Sequence, residues 1–564
     1  MSFRHAEPLE HHMGEVSNQV QPLRENFAVH RQHDQRYARC DNSAWSSSPQ
    51  INVSGGPDIC DIVPALGMSM RPSKESFYMN LWDNQCAPSL HSIFHRIASL
   101  QDLSPVITDT MKALAARQLS RMLPRRRTVG SSDDHASSFG PDPEQQGLSG
   151  EFSSAAMRSV SRWTWADFNR DPTTAMVALI LFCHLESLTS NFPGFYLHSR
   201  AVETLVSIQG RSAEAGPLSS HGAELVAAWT QSKLHNWWRR FHFSTPAFQR
   251  DNPSLVSAPM MLPMSSVAGS SRVSVLMNLC ESYRLNAADF MHCCDELMDI
   301  EARRLGDGVR TAPTDISYYS WGHSEWGSKS QEEQPERQRY ALDEWHDRLP
   351  PSELPMDPNL GNAHIDGASY SPTVVQVKPL HFRSHDAAMN YAYYVTARIL
   401  QCTGFLATDR LPGGSPSHSE SINTHGSDAE AWVALLLRIA AGIDWKSCTR
   451  LNTYTVGLSG LLLVCVLRSD NPATGPWVED WLCRRHHKGC LEEGGFPLAQ
   501  ILRILHAINQ EREYGRCVRA VCQPVDDGGG AGKFQSYNSQ SLPSVLVYGS
   551  CIASGSLYSR YIEL

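Results

Sequence analysis

Two histidines, two glutamates and a cysteine lie inside apolar runs in LILFCHLESLTSNFPGFYLHSRAVETLVSIQG, from Leu179 to Gly210. His184, Glu186, His198 and Glu203 are metal-ligand types, and CHLE contains the H-x-E that opens zinc deaminase sites, where the Glu moves protons. That chemistry also needs a following P-C-x-x-C, which the chain lacks. On a helix His184 and Glu186 point to roughly opposite faces, whereas chelating pairs need spacings of three or four residues. Met176, Leu179, Ile180, Cys183, Leu185 and Leu188 recur at helical spacing, NFPG interrupts them, and Leu197, Ala201, Leu205 and Ile208 resume the pattern. Two packed helices joined by a turn are expected here, not a reaction centre.

CRRHHKGC places Cys483, His486, His487 and Cys490 within eight residues. A zinc site would need the paired C-x2-4-C and H-x3-5-H framework, so the stretch reads as a basic helix end whose charges suit the dipole. GGGAGKF, Gly528 to Phe534, has Asp527 where a phosphate loop needs Gly, and Phe534 where it needs Ser or Thr. VGLSGL misses G-x-S-x-G by one residue. Arg125, Arg126 and Arg127 form a cluster that a nuclear-import receptor could reach, with a solvated linker face as the simpler reading. No catalytic, metal or cofactor site is expected, and the chain is not read as an enzyme.

The elements that must carry these residues follow from composition and period. Hydrophobic residues make up 41% of the 564 and charged residues 19%, so most of the chain should be globular. Forty-nine Lys and Arg against 58 Asp and Glu give a net charge of -9, which excludes nucleic-acid coating by bulk charge. Any DNA contact must be local. Cys183, Cys402 and Cys465, among the 15 cysteines, sit in apolar runs where a thiol behaves as a small hydrophobe. MSFRHAEPLEHHMGE lacks the apolar centre of a signal peptide, so a reducing intracellular setting is expected. VALLLRIAAGI and VGLSGLLLVCVL are too short to span a bilayer and read as core.

Along the chain, residues 1–80 are polar and expected to be disordered, with folding from about Pro88. LHSIFHRIASLQDLSPVITDTMKALAARQLSRML predicts two helices split at Ser104-Pro105. Residues 123–160, rich in Ser, Gly and Pro, read as a disordered insertion. Aromatic-rich GAELVAAWTQSKLHNWWRRFHF and the strongly periodic DAAMNYAYYVTARILQC are helical, as are the apolar segments after residue 428. The expected fold is all-α, an irregular array of at least ten helices over residues 88–516. Residues 517–564 should form a loop-rich extension, with SVLVYGS as a short strand.

The order of FHRIASLQDLSPVITDTMKALAARQL, ALILFCHLESLTSNFPGFYLHSRAVETLVSIQG, ALDEWHDRLPP and HDAAMNYAYYVTARILQC resembles the fungal-specific transcription factor domain. This is the helical regulatory region of fungal zinc-cluster transcription factors, and the resemblance covers roughly Ser89 to Arg516. It implies a nuclear transcriptional regulator of a pathway-specific gene set, such as one for secondary metabolism. Partners would be promoter DNA, a second copy or related subunit, and a small-molecule effector, with no membrane. Arg200 stands where the pattern carries a small residue. A larger departure is the missing six-cysteine cluster: only Cys40, Cys60 and Cys86 precede Cys183, with no C-x2-C among them. DNA would then be reached through a partner, or through a cluster absent from this sequence. The alternative is a helical interaction scaffold or effector-sensing module that does not bind DNA.

Overall fold

Several helices in this chain begin where a short side chain accepts from the backbone. Asp142 takes the N–H groups of Glu144 and Gln145 ahead of Pro143. Thr164 and Asp167 form a reciprocal capping box. Asp171 receives Thr174 N at 3.0 Å ahead of Pro172. Each satisfies donors that the first helical turn leaves without partners. The computed structural model describes residues 74–98, 104–122, 125–126, 139–211, 220–242, 244–251, 271–305, 334–356, 377–403, 419–523, 544–554 and 556–564. These residues are mostly helical, as expected, with 17 helices and a few short strands among them. None of the described helices is long and apolar enough to cross a membrane.

Two units divide the chain. The first holds α1 (Lys74–Leu81), α2 (Ile93–Ala98), α3 (Pro105–Met122), α4 (Pro143–Val160), α5 (Trp165–Arg170), α6 (Pro172–Leu188) and α7 (Phe192–Arg211). α6 is buried on every side from Ala175 to Leu188, with His184, Glu186 and Ser187 among otherwise apolar residues. α6 and α7 form the expected helix pair. The chain reverses at Ser190, whose φ of 55° is the left-handed conformation of a helix end.

Two expectations are corrected in this unit. Residues 143–160 are helix α4, not part of a disordered insertion; residues 127–138 lie outside the described residues. α4 buries Ser149, Ser153, Ala156 and Val160 against α3, and Ser149 Oγ donates to Ala113 O at 2.8 Å. Its inward residues are mostly small, so hydrophobic period could not reveal it. Structure also starts before Pro88: α1 buries Tyr78 and Leu81, and Tyr78 OH donates to Gln145 Oε1 on α4 at 2.7 Å. The rest of the expected N-terminal disorder, residues 1–73, lies outside the described residues.

α8 (Ser220–His242) carries the boundary between the units, after Leu225. The second unit continues with α9 (Pro246–Asp251), α10 (Ser271–Leu305), α11 (Gln334–Asp347), α12 (His385–Cys402), α13 (Ser419–Gly442), α14 (Trp445–Leu451), α15 (Leu458–Arg468), α16 (Thr474–His486) and α17 (Leu498–Glu513). All of α15 is buried, among α12, α13, α16, α17 and a strand of the C-terminal sheet.

The strands are β1 (Arg125–Arg126), β2 (Phe139–Gly140), β3 (Glu492–Glu493), β4 (Phe496–Pro497), β5 (Arg516–Cys522), β6 (Ser544–Cys551) and β7 (Leu557–Glu563). β1 pairs with β2 and β3 with β4. β5-β6-β7 form an antiparallel sheet with Cys517 opposite Ser550 and Val547 opposite Arg560. Of the extension expected to be loop-rich over 517–564, the described residues are largely sheet, and residues 524–543 lie outside the described residues. SVLVYGS is the middle strand of this sheet, and β5 finds that strand only across residues 524–543, a pairing that local sequence pattern does not display.

Candidate functional site

α6 and α7 position the four side chains with which the metal question began. His184 is 4% exposed and meets Phe94 edge-on, with ring centroids 6.1 Å apart. Burial drives its imidazole down to about 3, so it is neutral. Glu186, 5% exposed, turns the other way into the α6–α7 junction, where Asn191 Nδ2 donates to its Oε2 at 2.6 Å. A Cβ on Gly194 would stand 2.8 Å from the Glu186 carboxyl carbon, so a larger residue there would push that side chain aside. His198 stacks on Phe182 at 5.1 Å and brings Nε2 to 3.8 Å from Glu186 Oε1. The guanidinium of Arg117, held down to about 10 by burial, is pulled back upward by the Glu186 charge. The structure thus joins Glu186 to His198 and Arg117, and sends His184 elsewhere. Glu203 is half-buried.

A second buried carboxylate was missed by sequence reasoning. Glu493, 2% exposed, sits in the β3–β4 hairpin and points at the N-terminus of α15. Its Oε1 accepts from Leu458 N at 2.8 Å and Asn452 Nδ2 at 2.7 Å. Its Oε2 accepts from Ser459 N at 2.9 Å and Ser459 Oγ at 2.6 Å. Gly457, the N-cap of α15, provides no side-chain cap of its own, and Glu493 supplies one together with charge that suits the helix dipole. A Cβ on Gly457 would lie 2.3 Å from Glu493 Oε2. Gly494 and Gly495 complete the turn at φ 59° and 78°, with Gly494 O 3.3 Å from His235 Nε2 and Gly495 against Arg239. His385 Nε2 reaches Asn452 Oδ1 at 3.0 Å, and burial lowers its pKa.

The opposite end of α15 carries cations. Arg512 on α17 donates to Val466 O and Ser469 O. Arg468 donates to Asn286 Oδ1 at 2.9 Å and to Arg519 O at 2.5 Å, with its pKa lowered to about 9 by burial. The one sequence signal for this network was EEGG between two helices: an acid beside paired glycines, where a turn must bring a carboxylate close to backbone.

The remaining sequence candidates separate. Cys483 Sγ lies 3.8 Å from His487 Nε2, one helical turn away on the end of α16. Cys490 turns to Glu492 O at 3.5 Å, its thiol pushed up to about 12 by burial. Among the described residues, no three His, Cys, Asp or Glu side chains gather as a metal cluster. Ser459 of VGLSGL serves Glu493. Arg125 and Arg126 form β1, whereas Arg127 and GGGAGKF lie outside the described residues. No family model, curated protein or solved structure matches the chain.

Proposed function

We propose that this chain is the helical regulatory part of a nuclear fungal transcriptional regulator that controls a pathway-specific gene set, such as one for secondary metabolism. It reaches promoter DNA mainly through a DNA-binding partner. What supports this reading is the sequence resemblance of four segments to the fungal-specific transcription factor domain; in this chain those segments form helices α2–α3, α6–α7, α11 and α12. The use of the buried carboxylates agrees with it. Glu493 holds a helix end and Glu186 a helix turn, tasks of a scaffold that presents surfaces.

Chromatin immunoprecipitation with transcript profiling of a deletion strain tests the proposal. Promoters whose transcripts change on deletion should be recovered, while the purified chain alone should fail to shift the same promoters at physiological salt. Tight sequence-specific binding by the lone chain would overturn the partner requirement. Absence from chromatin with unchanged transcripts would favour an effector-sensing module. That second reading draws on a buried polar row of α8, where Ser232 Oγ and both heteroatoms of the Asn236 amide have no hydrogen-bond partner among the described residues.

A further inference from the structure

In a chain of net charge -9, three adjoining segments of the second unit carry exposed cations. These are Lys378, Arg383, Lys446, Arg450, Arg484 and Lys488. Residues 378–381 clasp the end of α13, with Leu380 N donating to Arg438 O at 2.9 Å and His381 Nδ1 3.2 Å from Gly442 O. His385, at the start of α12, holds α14 through Asn452. α14 is fixed to α16 by Trp445, whose ring meets Trp481 edge-on at 5.0 Å, and Arg485 lies 3.8 Å over that same Trp481 ring. The nearby acids are largely occupied. Asp386 pairs with Arg272 at 2.8 Å, Asp444 caps α14 and Glu492 is half-buried, while Asp480 pairs with Arg484 at 2.8 Å and so leaves Lys378, Arg383, Lys446, Arg450 and Lys488 as the cations open to a partner.

Helix dipoles account for only part of this charge. Arg450 and Arg484 sit in last turns, where cations stabilise a helix. Lys446 sits in the first turn of α14, where a cation opposes the dipole. Lys488 lies beyond α16, and Lys378 and Arg383 precede α12. Helix stability gives no reason for Lys378, Arg383 and Lys446, whereas Lys488, just past the end of α16, still suits its dipole.

We propose that the surface built from residues 378–383, α14 and the end of α16 contacts the phosphate backbone of duplex DNA. The assignment rests on the regulator reading above. It supplies local, sequence-independent attraction, while a partner reads the bases. Four neutralised phosphates give a salt slope of about -3.6, so affinity falls on the order of a hundredfold between about 50 and 200 mM salt. The lone chain therefore holds DNA at low salt and releases it at physiological salt.

The test is fluorescence anisotropy of the purified full chain with a short labelled duplex across a salt series. Substituting Arg383→Gln, Lys446→Gln, Arg450→Gln and Lys488→Gln together should weaken low-salt binding at least tenfold and flatten the salt slope. Replacing the exposed Arg158 and Arg162 of the first unit by Gln should change neither. An unchanged slope in the fourfold variant, an equal loss in the control variant, or preference for polyglutamate over duplex would overturn the assignment. Absence of low-salt binding by a chain still recovered at promoters would also overturn it, leaving the regulator reading intact. Absence from chromatin with unchanged transcripts would remove that reading itself.

Discussion

Glu493 can stay buried because both of its oxygens only accept, two donors to each. Glu493→Gln keeps the shape but turns one acceptor into an NH2 group facing those donors. It should lower stability by about 3 kcal/mol, nearly as much as Glu493→Ala, which chemical denaturation of the two variants will measure. The histidines make a pH prediction. Burial drives His184 and His242 to about 3, with the Arg468 charge adding to the effect at His242, from an ordinary 6.5. The unfolded chain therefore takes up protons first as pH falls. Their contribution to stability is complete above about 6.5 and drains between there and about 3, at about 1.4 kcal/mol per pH unit for each histidine. Urea unfolding from neutral to mildly acidic pH should show this slope, and His184→Gln should make it shallower by one histidine's share. At this scale the sequence displayed residue types without their company. Glu186 and His198 were visible as a pair of ligand types, yet Arg117, which completes their surroundings, lies on α3 far away in the chain. Glu493 carried no motif because its partners, two backbone N–H groups and the side chains of Asn452 and Ser459, lie more than 30 residues before it in the chain.

Helices with an apolar period were legible as elements. α6, α12 and α15 could be read because burial on most sides requires apolar residues on most sides. α4 could not, since three of its four buried residues are serine or alanine, types that composition assigns to linkers. The close approach that those small residues permit makes a prediction: Ser149→Leu forces a branched chain against Ala113, loses the hydrogen bond to its carbonyl, and should destabilise the first unit by about 2 kcal/mol. Thermal unfolding measures it, and Ser149→Ala should cost less, about 1 kcal/mol. α1 was hidden for a related reason. Its Tyr78 is buried beside a helix that did not itself look like one.

For the whole molecule, the C-terminal sheet and the buried network of α15 have one origin in common: partners distant along the chain. Leu458 and its carboxylate are 35 residues apart, and Arg512 reaches back 46 residues to Val466. This spacing sets an order of events during synthesis. When α15 leaves the ribosome it is an apolar segment with neither end satisfied, and it stays so until the β3–β4 hairpin and α17 have followed. Nascent chains stopped between Arg468 and Arg512 should be chaperone-bound and insoluble, whereas chains extended through Cys522 should become soluble in step with protection of α15 from protease. A stop codon or frameshift in that interval would yield an aggregating product even though every residue of the central helix had already been made.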